Sequence, residues 1–120
     1  MSYIATALVL FVALEHAYIL ILEMFLWQSP KTRKVFATSE EFAASTKVLA
    51  ANQGLYNGFL CAGLIWGLTY PDTEVGTSIQ MFFLSCVICA AIFGGLSANT
   101  RILFVQGGPA VLAVLAIMFS

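Results

Sequence analysis

The sequence predicts an all-α integral membrane protein whose four helices form an up-down bundle. Hydrophobic residues make up 61% of the 120-residue chain and charged residues only 9%, which is too few to cover the surface of a soluble domain. Four long apolar runs alternate with short polar segments, and none shows the period-2 alternation of a β-barrel strand. The length predicts a single domain that comprises residues 1–120.

The first predicted span covers residues 3–27, and a helix needs about 20 apolar residues to cross a bilayer. We expect Pro30 to stop this helix, because proline disfavours helical backbone in the residue before it. The polar connection that follows covers residues 28–46. Within it, Ser39 precedes two glutamates, a pattern typical of a helix start, so we expect a short helix from Glu40 that continues into the second span.

The other three spans are predicted at residues 47–70, 77–98 and 102–119, joined by short turns that make sequential helices antiparallel neighbours. Two small-residue patterns in the second span, at residues 54–58 and 63–67, have the form Gly-x-x-x-Gly and predict close packing on two sides of that helix.

A glycine-proline segment lies inside the fourth predicted span. Gly107-Gly108-Pro109 is expected to bend or unwind this helix just after Gln106. Such a bend is a place where a cavity can form.

The positive charges predict the orientation in a bacterial inner (cytoplasmic) membrane. Four of the five basic residues lie in or beside the first connection, and Arg101 lies in the third. The second connection carries only Asp72 and Glu74 as charged residues. This bias places the first and third connections in the cytoplasm and both termini outside it.

Three ionisable residues lie inside the first span: Glu15, His16 and Glu23. Such groups are costly at bilayer depth and by default mark a functional site. His16 and Glu23 lie about 20° apart around a helix, and Glu15 lies within about 100° of both, so all three can face the bundle interior. Because desolvation penalises the charged form of a carboxyl group, we expect this trio to exchange protons near neutral pH.

Polar residues on the second and fourth spans extend this candidate site. A rise of about 1.5 Å per residue places Glu23 at the depth of Asn52, Gln53 and Gln106, and it places Glu15 and His16 at the depth of Tyr56 and Asn57. The candidate proton-exchange or ligand-binding residues are Glu15, His16, Glu23, Asn52, Gln53, Tyr56, Asn57 and Gln106. The competing interpretation is that the amides only hold helices together.

Other chemistry has weaker support in the sequence. His16 and Glu23 are weak candidates for metal ligands, but their spacing matches no metal motif and we expect no metal. Cys86 and Cys89 lie within a span and are interpreted as small interface residues. No basic patch predicts a nucleic-acid partner. The sequence indicates no particular cofactor.

Three sequence blocks together resemble an uncharacterised family of bacterial membrane proteins, the domain of unknown function number 1304. They are residues 22–27 (LEMFLW), 50–60 (AANQGLYNGFL) and 101–110 (RILFVQGGPA). The resemblance implies a small bacterial membrane protein with four spans. It implies no activity, so it assigns no catalytic or binding residue.

Three functions remain open at this point. The first is a homo-oligomeric, proton-coupled carrier or channel-like protein for a small polar solute or ion. It needs several copies because one chain of 120 residues has little room for a path. The second is a membrane-embedded enzyme or binding protein for a lipid-like or quinone-like ligand, and the third is a structural or assembly subunit. We favour a non-enzymatic function. All three functions have the lipid bilayer as a partner.

Overall fold

The computed structural model describes residues 2–120, which form seven helices and no strand. The predicted all-α class is therefore confirmed. The helices are α1 (Tyr3–Met24), α2 (Pro30–Phe36), α3 (Glu40–Ser45), α4 (Lys47–Thr69), α5 (Thr73–Ser97), α6 (Thr100–Val105) and α7 (Gly107–Met118).

Four helical segments are long and apolar enough to cross a membrane: α1, α4, α5 and the combined α6–α7. They contain 22, 23, 25 and 19 residues. At about 1.5 Å per residue, each matches the roughly 30 Å hydrocarbon thickness of a bilayer. Large apolar side chains are exposed on all four, including Phe11, Trp66, Phe93 and Leu112. A surface of this kind suits contact with lipid.

Pro30 begins a helix, whereas the sequence predicted that it would end the first one. α1 ends at Met24, and Pro30 is the first residue of a new helix. Ser29 caps that helix, since its hydroxyl oxygen accepts a hydrogen bond from the Thr32 backbone N–H at 3.3 Å. The Ser29 hydroxyl also donates to Thr32 Oγ1 at 2.8 Å.

We expect Ser29→Ala to lower the free energy of unfolding by about 1 kcal/mol, because the first turn of α2 loses its side-chain cap. The measurement is denaturant unfolding in mild detergent, with Ser78→Ala as the control. Ser78 lies inside α5, and its hydroxyl only donates to the Glu74 carbonyl of its own helix. Equal unfolding free energies for both variants would contradict the capping role.

Two interruptions divide the longer helical segments. The helix that starts at Glu40 does not run directly into α4, because Thr46 leaves the helical conformation, with φ of −107° and ψ of 10°. In the fourth span α6 ends at Val105 and α7 begins at Gly107, so the regular helix is interrupted at Gln106. Gln106 itself keeps helical backbone angles, with φ of −96° and ψ of −42°, so the chain does not unwind there. Pro109 contributes to the interruption, because it has no N–H to donate to the carbonyl four residues earlier.

The chain divides into two compact units. The first unit contains the chain up to Leu14 together with Leu60–Ser120, and the second contains Glu15–Phe59. In the first unit, segments of all four span-length helices share one apolar core, as a four-helix bundle requires. Its buried members are Val9, Val12, Ala13, Leu64, Leu84, Val87, Ala110 and Ala113.

Glycines bring α4 close to a neighbouring helix in each unit. In the first unit a Cβ atom added at Gly67 would lie 2.6 Å from Cγ of Gln80 and 2.9 Å from the Gly76 carbonyl oxygen of α5. In the second unit a Cβ atom added at Gly54 would lie 3.0 Å from Cβ of Glu23 on α1. The structure therefore shows the close packing on two sides that the glycine patterns predict.

Candidate functional site

Glu23 and Asn57 form a buried pair within the second unit. Glu23 lies in the last turn of α1 and is 7% exposed, and Asn57 lies in α4 and is 9% exposed. The Asn57 Nδ2 atom donates a hydrogen bond to Glu23 Oε1 at 2.7 Å. Close contact of the two helices at Gly54 brings these side chains within reach. Two residues that are 34 positions apart thus meet in one site.

Asn57 is also fixed by its own helix. Its Nδ2 atom donates to the backbone carbonyl of Gln53 at 3.2 Å, one helical turn earlier. A carboxamide nitrogen has two protons, so both can be used, one across to α1 and one along α4. The side chain is therefore oriented toward Glu23 by its own helix as well as by the carboxyl group.

The partner of Glu23 is a neutral amide and not a cation. An amide N–H can donate to an ionised carboxylate, and a protonated carboxyl group also keeps acceptor capacity. A positively charged partner would favour the ionised form strongly. The observed bond is compatible with either protonation state, which is the property that a proton-exchanging group needs.

The pairing corrects the depth layers expected from the sequence. Asn57 was expected at the depth of Glu15 and His16, but it contacts Glu23, which was expected nearer the membrane surface. Asn57 lies ten residues after the start of α4, whereas Glu23 lies one residue before the end of α1. The end of α1 and the start of α4 are therefore offset by about 13 Å along the helix axes. Residues that lie equally far from these two ends do not lie at the same depth.

Glu15 and His16 occupy a separate position on α1. His16 is 1% exposed and lies seven residues before Glu23, about 10 Å along the helix axis. The Oε1 atom of Glu15 is buried and has no hydrogen-bond partner among residues 2–120. Burying a carboxyl oxygen without a donor is costly, most of all for the charged form. The two glutamates of α1 thus have different surroundings.

The other candidate residues do not join the Glu23–Asn57 pair. Asn52, Gln53 and Tyr56 have exposed side chains on α4, and only the backbone of Gln53 contributes to the pair. The Tyr56 ring packs edge-on against Phe59 with centroids 5.7 Å apart. Gln106 is half-buried at the break between α6 and α7, in the first unit.

A buried polar residue that the sequence analysis missed is Gln80 of α5. It is 3% exposed, and its Nε2 atom donates to the carbonyl of Gly67 at 3.1 Å. Its Oε1 atom is buried and accepts no hydrogen bond within the described chain. A lone glutamine inside an apolar span was the signal that could have identified it.

No metal cluster occurs in the described part of the chain, residues 2–120. No three side chains of His, Cys, Asp or Glu lie close enough together to hold a metal ion. His16 and Glu23, the weak metal candidates, thus have no third such side chain beside them. Cys86 and Cys89 are free thiols.

Two comparisons with known proteins gave matches. A family model described as "Protein of unknown function (DUF1304)" matches residues 10–118, a range that includes every candidate site residue. The chain is also similar to the "Uncharacterized protein YpaA" of Lactococcus lactis subsp. lactis (strain IL1403). The two are 36% identical over 121 residues, which covers 99% of this chain and 100% of the relative. No solved structure matches the chain.

Proposed function

The chain belongs to the DUF1304 family of proteins of unknown function, and we propose that it is a small oligomeric membrane protein in which Glu23 exchanges protons. In this proposal it is a proton-coupled carrier or a channel-like protein for a small polar solute or ion. The observation that carries the proposal is the buried bond between Glu23 and the neutral amide of Asn57.

The position of Glu23 supports this function. Burying an ionisable glutamate in a membrane-spanning helix costs free energy, so such residues are rare and usually have a function. Asn57 holds the carboxyl group in place and remains a suitable donor when the group gains or loses a proton. A site that only joined two helices would need an amide on each side and no ionisable group.

The exposed polar face of α4 supports an oligomer. Asn52, Gln53 and Tyr56 lie on this face. In a membrane such groups are stabilised when polar groups of another helix cover them. A second copy of the chain would provide these partners and would also supply the walls of a path that one short chain lacks.

The proposed location is the bacterial inner membrane, with both termini outside the cytoplasm and the first and third connections inside it. The distribution of the basic residues supports this orientation. Glu23 lies one residue from the end of α1, so this orientation brings it close to the cytoplasmic surface. Protons could then enter from the cytoplasm.

Infrared titration of the purified protein between pH 5 and pH 9 tests the proposal. We expect carboxyl absorption that disappears as the pH rises, and the part that belongs to Glu23 is missing in Glu23→Gln. Glu15→Gln identifies the part that belongs to Glu15, whose Oε1 atom is also buried. Glutamine keeps the size of the side chain and can accept the Asn57 hydrogen bond, but it does not ionise. Glu74→Gln is the control, because Glu74 is exposed at the start of α5.

A second test measures proton entry into vesicles that contain the protein. With a pH-sensitive dye inside and a membrane potential applied, Glu23→Gln should reduce proton entry at least about tenfold, and Glu74→Gln should not change it. A Glu23→Gln variant that matches the wild type in both the infrared and the vesicle measurements would contradict the proposal. Glu23 would then be a packing residue, as a structural or assembly subunit requires.

The exposed polar face favours a second candidate function, an enzyme or binding protein for a lipid-like or quinone-like molecule. Asn52, Gln53 and Tyr56 are reachable from the lipid side of α4. This function predicts that a stoichiometric lipid or quinone co-purifies with the wild type and is lost in Tyr56→Phe. Mass spectrometry of an organic extract distinguishes the two functions.

A further inference from the structure

The segment between α1 and α4, residues 25–46, lies at a membrane surface if these two helices span the bilayer. It joins the end of one span to the start of the next, so this location does not depend on which side faces the cytoplasm. Lipid headgroups occupy the same zone.

This segment is an ordered structure. The Trp27 Nε1 atom donates to Thr46 Oγ1 at 3.1 Å, and the Trp27 ring lies 5.1 Å from that of Phe36 between centroids. Thr46 Oγ1 in turn donates to the Phe42 carbonyl at 2.7 Å. Trp27 therefore links the end of α1, the end of α2 and the start of α4. Tryptophan is enriched at this depth in membrane proteins.

Lysines are presented on two parts of the segment. Lys31 and Lys34 are exposed and lie three residues apart, on one face of α2, together with the exposed Val35. Lys47 at the start of α4 lines a shallow cleft, and the other wall of the cleft is the chain from Met24 to Ser29. We call the cleft and the Lys31–Lys34 face together the headgroup surface.

The charge balance of this region is positive. Four of the five basic residues of the chain lie within residues 31–47, against two acidic residues, Glu40 and Glu41. The two glutamates line a different cleft, with Ser39 and Ala44. The headgroup surface therefore presents cations without a carboxylate in its own lining.

We propose that the headgroup surface binds an anionic phospholipid. The phosphate pairs with Lys47 in the cleft, and Lys31 and Lys34 attract further negative charge from the lipid surface. Phe25 and Leu26, which line the same cleft and are 71% and 46% exposed, contact the apolar part of the same lipid.

The neighbouring apolar side chains favour a lipid over a soluble phosphate compound. Phe25 and Leu26 line the cleft with Lys47, Val35 lies on the Lys31–Lys34 face of α2, and all three are large and exposed. A small soluble anion would neutralise the charge but would leave this apolar surface in water. A phospholipid supplies both a phosphate and an acyl region.

The test uses the full-length protein in nanodiscs of phosphatidylcholine that contain a small fraction of fluorescent phosphatidylglycerol. The binding of the labelled lipid is followed by energy transfer from Trp27, with Trp66 replaced by phenylalanine in all proteins so that Trp27 is the single tryptophan donor. Each lysine near an anionic surface is expected to contribute about fivefold to the affinity. Lys47→Gln should therefore weaken binding about fivefold, and the Lys31→Gln/Lys34→Gln/Lys47→Gln variant about a hundredfold.

Arg101→Gln is the matched control, since it removes one positive charge from the third connection and leaves the headgroup surface intact. Circular dichroism checks that all variants remain helical. Equal losses for Lys47→Gln and Arg101→Gln would overturn the proposal, because net charge alone would then explain binding. Displacement of the labelled lipid by soluble glycerol phosphate would also overturn it and would identify a site for a soluble anion.

Discussion

Gly67→Ala is expected to lower the free energy of unfolding by about 2 kcal/mol, although alanine favours helices more than glycine does. The added Cβ atom would lie 2.9 Å from the Gly76 carbonyl oxygen and 3.0 Å from the Gln80 backbone nitrogen. Both are backbone atoms, so a side-chain rotation cannot relieve the contact and α4 must move away from α5. This movement also weakens the Gln80 bond to the Gly67 carbonyl.

Unfolding by sodium dodecyl sulfate in mixed micelles, followed by circular dichroism, measures this change. Gly108→Ala is the matched control, because a Cβ atom at Gly108 would have no heavy-atom neighbour within 4 Å. The same substitution should leave stability unchanged there or raise it by up to about 1 kcal/mol. Equal effects at the two glycines would show that α4 and α5 are not in close contact at Gly67.

The second large effect is expected for Asn57→Leu. Leucine has a similar size but cannot donate to Glu23 Oε1, so a buried carboxyl group loses its only hydrogen-bond donor among residues 2–120. An unsatisfied buried polar group costs about 1–3 kcal/mol, and hydrogen bonds between membrane helices contribute up to about 1.7 kcal/mol. We expect a loss of about 2 kcal/mol.

A double-mutant cycle isolates this interaction. Asn57→Leu, Glu23→Leu and the double variant are unfolded under the same conditions, since leucine at position 23 cannot accept the Asn57 hydrogen bond. The expected coupling energy is about 1 kcal/mol. Thr69→Val serves as the control, since Thr69 is exposed on the same helix and its hydroxyl donates to the Ile65 carbonyl of that helix. It should change stability by about 0.5 kcal/mol or less. A coupling energy near zero would mean that the Glu23–Asn57 bond does not stabilise the protein.

Much of the fold could be predicted because its signals are local and repeated. The lengths of the apolar runs identify the four span-length helices, and the two Gly-x-x-x-Gly patterns identify α4 as the helix that packs on two sides. The break at Gln106 follows from a proline that cannot complete the helical bonding pattern.

The exact pairing of polar residues could not be predicted, because it depends on the offset between two helices. Helix periodicity placed Glu23 and Asn57 on suitable faces, but residue counting from the predicted helix ends assigned them to different depths. The chain between the two helices folds into α2 and α3 and is not a simple turn, so the offset cannot be counted from the helix ends. The role of Pro30 could not be predicted either, because a Ser-Pro pair can follow the end of one helix or begin the next.

The break at Gln106 has a mechanical consequence. A helix resists bending through an unbroken ladder of backbone bonds, and Pro109 removes the donor that would face the Val105 carbonyl. The fourth span therefore consists of two helices, about 9 Å and 18 Å long, that meet at Gln106. Because the helical hydrogen bond to the Val105 carbonyl is missing, we expect bending of this span to be concentrated at Gln106.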